Sequence, residues 1–208
     1  MAFVVLGGCA REAASPVERR SETPRITTPA PTAELAGTLL TEDDVADVRG
    51  LSSVAVSDLD DVEFYENPDP RGPCGTPVAA MPAPTAGRAF SGDTATLVQV
   101  VYERAHELES YVDEVARDLV PGCGPHESRT NVGIMQEVTE PAVLDTAGVG
   151  DHAVGWTAEI TSAGQTAAAG VVLVVAGGRA TALQYLAAED SPVDLVPLAR
   201  TAADRLAD

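Results

Sequence analysis

One stretch of this chain constrains its fold more than any other: the change of apolar period after residue 102 and the two cysteines that bracket it. Thr94-Ala-Thr-Leu-Val-Gln-Val-Val-Tyr102 is rich in β-branched residues, as a strand requires. Leu108, Tyr111, Val112, Val115 and Leu119 then recur at the spacing of one helical face. Glu107, Glu109, Asp113, Glu114 and Arg117 fall on the other face. Pro121-Gly122 stops the helix, and Cys123 follows at once in Pro121-Gly-Cys-Gly-Pro125. Its counterpart, Cys74, sits before the strand in Gly72-Pro-Cys-Gly-Thr-Pro77. A strand followed by a helix that packs back on it would bring the two loops together. The expected outcome is a Cys74–Cys123 disulfide, which suits a compartment outside the cytoplasm. The rival is a metal site using Cys123-Gly-Pro-His126 with Cys74 as a third ligand. Zinc sites more often show four ligands in paired spacings.

The remaining elements are read from period and punctuation. Leu39 to Gly50 predicts a short helix with Thr41 as cap, Asp43 and Asp44 at its positive end, and Leu40 facing Val45. Ser53 to Tyr65 is a strand candidate broken at Asp58-Leu-Asp-Asp61, Asn67 to Pro84 a loop, and Thr130 to Val138 a further strand. Val154, Trp156, Ala158 and Ile160 alternate along another. Gly170–Ala176 and Arg179–Leu186 flank Gly177-Gly178, a two-residue hairpin turn. Asp194 caps a last helix with Leu195, Leu198, Ala199, Ala202 and Leu206 inside. There is no repeat and no βαβ alternation. The expected fold class is α+β, an antiparallel sheet with two to three helices packed on one face and one disulfide.

The N-terminal region reads differently. Residues 1–8 form an apolar signal-peptide remnant, and Leu6-Gly7-Gly8-Cys9 matches a lipobox, in which the cysteine is lipidated and becomes the new N-terminus. Only eight residues precede Cys9 and none is charged, so translation is expected to start further upstream. Residues 9–38 carry Pro16, Pro24, Pro29 and Pro31 among polar residues without apolar periodicity, as a disordered tether does. Residues 39–208 are the expected domain. No segment has 18 or more consecutive apolar residues, so the expected attachment is the lipid on Cys9 and not a membrane span.

The chain has 13 Arg, no Lys and 32 acidic residues, a net charge of −19. That balance argues against nucleic-acid binding and against a polybasic membrane patch. Acid is densest from Glu34 to Asp69, with Asp58, Asp60, Asp61 and Glu63 together, but the glycine and closing glutamate of an EF-hand loop are missing. His106, His126 and His152 have no partner motif, and neither Gly-x-Ser-x-Gly nor His-Glu-x-x-His occurs. The expectation is a protein that is not an enzyme and carries no cofactor. Trp156 and Tyr185 are read as core residues or, alternatively, as lining a pocket.

The order of these features resembles the extracytoplasmic sensor-domain lipoprotein family of actinobacteria, similar to the PknH-type outer sensor domain. The likeness rests on the lipobox, the Pro/Thr tether, Leu39-Leu-Thr-Glu-Asp-Asp44, the loop cysteine, the helix closing at a second cysteine, and Gly148-Val-Gly-Asp-His152. It spans roughly residues 35–208. The resemblance implies an antiparallel sheet with helices and a cleft for an unknown ligand, with the bridge carried by Cys74 and Cys123. Such domains often hold two disulfides, whereas this chain has cysteines for one. The implied role is a lipid-anchored sensor-like domain on the outer face of the cytoplasmic membrane. The alternatives are an envelope lipoprotein docking a protein partner and, less favoured, an envelope hydrolase with one histidine facing Ser or Asp in a cleft.

Overall fold

A computed structural model of the protein describes residues 25–27, 33–48, 50–51, 55–58, 63–65, 71–119, 123–129, 135–188 and 194–208. In chain order the elements are β1 (Arg25–Thr27), α1 (Ala33–Thr38), α2 (Glu42–Val45), β2 (Ala55–Asp58) and β3 (Glu63–Tyr65). There follow β4 (Ala86–Ser91), β5 (Ala95–Tyr102), α3 (Ala105–Asp118), β6 (His126–Arg129), β7 (Met135–Val138) and β8 (Ala142–Val143). Last come β9 (His152–Ser162), β10 (Gln165–Ala176), β11 (Arg179–Ala188) and α4 (Leu195–Ala207).

Nine strands form one antiparallel sheet in the order β2-β4-β5-β11-β10-β9-β7-β6, with β8 also on β9; β1 pairs separately with β3. The centre is the β10–β11 hairpin, whose turn residues Gly177 and Gly178 have φ of +58° and +78°, where a side chain would be strained. The α+β class and the Cys74–Cys123 disulfide are both present.

α1, α2 and α4 share one face, as expected, and α3 covers the other. Leu195, Leu198, Ala199, Ala202 and Leu206 of α4 pack with Leu35, Leu40 and Val45 against Leu97, Val101, Val172, Val174 and Leu183. Leu108, Tyr111, Val112, Val115 and Leu119 pack against the alternate residues Val98, Val100, Val171, Leu173 and Ala182. Successive strand side chains point to opposite sides, so α4 and α3 sandwich the sheet between them. The physical cause is the unbroken run Gly170-Val-Val-Leu-Val-Val-Ala176. A strand solvated on one side would alternate; one covered on both does not.

Two boundaries also shift. Leu35 and Thr38 are buried, so α1 belongs to the domain, and a tether ending at residue 38 runs several residues too far. Of the helix expected over residues 39–50 only α2 forms. Thr41 makes a capping box with Asp44, and Leu40 and Val45 enter the same core. The lipobox, Cys9, most of the tether and Pro121-Gly122 lie outside the described residues. Among the described residues no helix is long and apolar enough to cross a membrane.

Asp44 also clamps the terminal helix, because its Oδ2 accepts from Arg205 at 2.7 Å as well as from the Thr41 amide at 2.6 Å. Burial opposes ionisation of this carboxyl. The Thr41 amide and hydroxyl and the Arg205 guanidinium outweigh that, holding its pKa below the ordinary carboxylate value. A lowered folded pKa gives stability that is present above the unfolded value of about 3.9 and is lost as pH falls through the folded one. Asp44→Asn should therefore cost about 1 kcal/mol in urea unfolding at pH 7 and flatten the fall in stability between pH 5 and pH 2. An unchanged acid profile would show that this clamp is not ionic.

Candidate functional site

The α3 face holds the groups that bear chemistry, and they gather where the segment 71–84 crosses the helix. Cys74 and Cys123 are joined, with sulfurs 2.04 Å and Cα atoms 5.5 Å apart. Neither sulfur is then a thiolate ligand, which removes the metal site drawn on Cys74, Cys123 and His126. Among the described residues no cluster of three or more His, Cys, Asp or Glu is arranged to hold a metal ion.

Asp118, the last residue of α3 and 9% exposed, fastens this segment. Its Oδ2 accepts from the Cys74 amide at 2.7 Å, and its Oδ1 accepts a short hydrogen bond from Thr76 Oγ1. One helical turn earlier, Glu114 Oε2 accepts from the Ala79 amide at 2.7 Å. Val78 and Met81 are thereby laid on the apolar cluster beneath. Tyr111, on the same face of the helix, is pushed up to about 12 by burial and then by the Asp118 and Glu114 carboxylates. Tyr102 is pushed up by burial and by Tyr111. Both phenols stay protonated at neutral pH.

The three histidines are dispersed. His106 is exposed on α3. His152 Nε2 lies 3.5 Å from Asp113 Oδ1, with both side chains well exposed. His126 is half-buried on β6 beside Gly75, and its Nδ1 is buried without a hydrogen-bond partner. Asp58 is engaged by Arg88 Nε at 2.6 Å, while Asp60 and Asp61 of the same acidic cluster lie outside the described residues. Trp156 and Tyr185 line no common pocket. Trp156 is in the cluster under α3 and Tyr185 in the cluster under α4, on opposite sides of the sheet.

Gln136, which sequence reasoning did not single out, and Trp156, which it read as core or pocket-lining, join His126 on the α3 face. Gln136 is 4% exposed with Nε2 unpartnered, and Trp156 is 3% exposed with Nε1 unpartnered. The register sets His126 opposite Val138, and Val138 opposite Ile160. By strand alternation His126, Gln136, Val138, Trp156, Ala158 and Ile160 all project from one side. Trp156 and Ser162, the position beside Gln136, are six residue steps apart on β9, or roughly 20 Å along the strand. Ala158, Ile160, Val138 and Ala169, all buried, occupy the interval. The only signal in the sequence was an isolated Gln in Met135-Gln-Glu-Val138, where apolar alternation would put a core residue.

Compared with protein-family models, with curated proteins and with solved structures, the chain matches none.

Proposed function

We propose that this chain is a lipoprotein, anchored through Cys9 outside the cytoplasmic membrane, whose α+β domain binds an elongated uncharged ligand on its α3 face. The observation that carries the reading is that three of the four unpartnered buried nitrogens among the described residues, Gln136 Nε2, Trp156 Nε1 and His126 Nδ1, fall on this one face; the fourth is Arg205 Nε of α4. Buried polar groups in folded proteins are nearly always hydrogen-bonded, and each left unpaired costs about 1–3 kcal/mol. Acceptor oxygens on a ligand would recover that cost once the side chains covering β9 move aside, since all three nitrogens are buried in the free domain. A net charge of −19 favours neutral oxygens, as in glycan hydroxyls or peptide carbonyls, over anions. The lipobox and the single disulfide suit the same compartment. Among the described residues, the large exposed apolar side chains Val56, Met135, Val143 and Leu186 sit on four different strands.

The test has two arms. In a thermal-shift screen against neutral cell-wall glycan and peptide fragments, a true ligand at about 100 times its Kd should stabilise the domain by roughly 2.7 kcal/mol. Gln136→Leu should abolish that shift while raising the stability of the free protein by about 1 kcal/mol, since it deletes an unpaired amide. A folded protein that no fragment stabilises, or a Gln136→Leu variant that is destabilised, speaks against the binding reading. In the second arm, Cys9→Ala expressed in an actinobacterial host should move the protein from the membrane to the soluble fraction. Unchanged membrane association would end the anchor reading and leave the binding arm intact.

A further inference from the structure

We infer that Asp118 is a positioning residue for the disulfide: its carboxylate docks the segment carrying Cys74 and so holds the two thiols together before they oxidise. The place is otherwise a poor one for a negative charge. Asp118 ends a helix, where the macrodipole is negative; it is nearly buried, and Glu114 lies one turn away. What offsets those costs comes from the cysteine segment itself: the Cys74 amide at 2.7 Å and the Thr76 hydroxyl.

Gly72 supplies a second, independent observation. A Cβ added there would lie 2.1 Å from Asp118 Oδ2 and 2.7 Å from its Cγ. Gly72 is not among the glycines with positive φ, so what it supplies is room for the carboxylate. The motif Gly72-Pro-Cys-Gly-Thr76 is thus shaped around Asp118 at three alternate positions: space at 72, an N–H at 74 and an O–H at 76. Hydrogen bonds between this segment and the helix form without the sulfurs, so they can assemble in the reduced chain. Oxidation by glutathione disulfide then passes two electrons and two protons from the cysteines to two glutathiones, and the S–S bond closes on an arrangement already in place.

The experiment equilibrates the folded protein with glutathione buffers and reads the effective concentration of the Cys74–Cys123 pair. Asp118→Ala and Gly72→Ala should each lower it about tenfold or more, the scale of one hydrogen bond to a charged group. Leu206→Ala serves as the control, because it opens a cavity under α4 on the opposite side of the sheet and lowers stability without touching the segment. It should leave the thiol equilibrium unchanged. If Asp118→Ala fails to fold, Thr76→Val, which deletes one contact at an exposed position, should still give a drop of roughly threefold. Equal effective concentrations in the wild type and in Asp118→Ala or Thr76→Val, or an equal fall in Leu206→Ala, would overturn the assignment.

Discussion

Replacing Cys74 and Cys123 together with serine is expected to lower the unfolding free energy by about 4 kcal/mol. The bond closes a loop of 49 residues, and the chain-entropy relation for a loop of that length gives about 4 kcal/mol at 25 °C. For a domain of this size the melting temperature should fall by roughly 10 °C. The loss acts mainly through the unfolded chain. Asp118 and Glu114 keep their bonds to residues 74, 76 and 79 in the folded state, so near-ultraviolet dichroism of Trp156 in its apolar cluster should be almost unaltered. Chemical reduction of the wild type should match the double variant in size. A change under 1 kcal/mol would mean that the unfolded ensemble is already restricted in this region. A collapse of the near-ultraviolet signal would mean that the bond holds the native packing itself.

How far the sequence discloses this fold depends on how strongly each element advertises its environment. The helix α3 was legible because Leu108, Tyr111, Val112, Val115 and Leu119 keep a strict helical spacing, and all five are buried. The Gly177-Gly178 turn, the alternation along β9 and the Asp194 cap were legible for the same local reason, and the Asp194 side chain accepts from Val196 N at 3.1 Å. Edge strands advertise less. β6, with the sequence His-Glu-Ser-Arg, has no apolar alternation, and among the described residues its outer edge meets no further strand. β4 lies inside the sheet, between β2 and β5, but it is short and follows Pro82 and Pro84. The placement of helices on both faces was available in principle from the apolar run in β10, but only if the run is read as a statement about two neighbours and not one. The candidate site was least legible. Asp118 sits at the margin of the apolar stripe, seven residues after Tyr111, where an acid reads as solvated, and nothing in one dimension marks Gly72 as its cradle or Gln136 as buried.

Gln99→Leu should cost about 3 kcal/mol, although it puts a larger apolar surface into an apolar core. Gln99 is fully buried between Val98 and Val100 of β5, on the α4 side of the sheet. Its Oε1 accepts from the Leu40 amide at 2.6 Å, and its Nε2 donates to the Thr38 carbonyl at 3.4 Å and to Thr181 Oγ1 at 3.3 Å. Thr181 in turn donates to the Val100 carbonyl at 2.8 Å, and Thr38 Oγ1 to the Leu35 carbonyl at 2.8 Å. The chain between α1 and α2 turns sharply here and cannot satisfy its own N–H and C=O by a helix or a ladder; Gln99 takes the Leu40 N–H and the Thr38 C=O, and Arg88 donates to the Leu40 C=O at 2.8 Å. Leucine would leave a buried amide and a buried carbonyl unpaired, at about 1–3 kcal/mol for each, against a smaller gain from burying methyl groups. Thr181→Val should cost roughly 1 kcal/mol, because Gln99 keeps its two bonds to residues 38 and 40. The double variant should fall short of the sum, since the residues share one network. Amide exchange locates the effect: the Leu40 N–H should lose protection in Gln99→Leu while the β10–β11 amides keep theirs. If Leu40 exchanges as slowly in the variant as in the wild type, the glutamine does not hold the α1–α2 turn to the sheet.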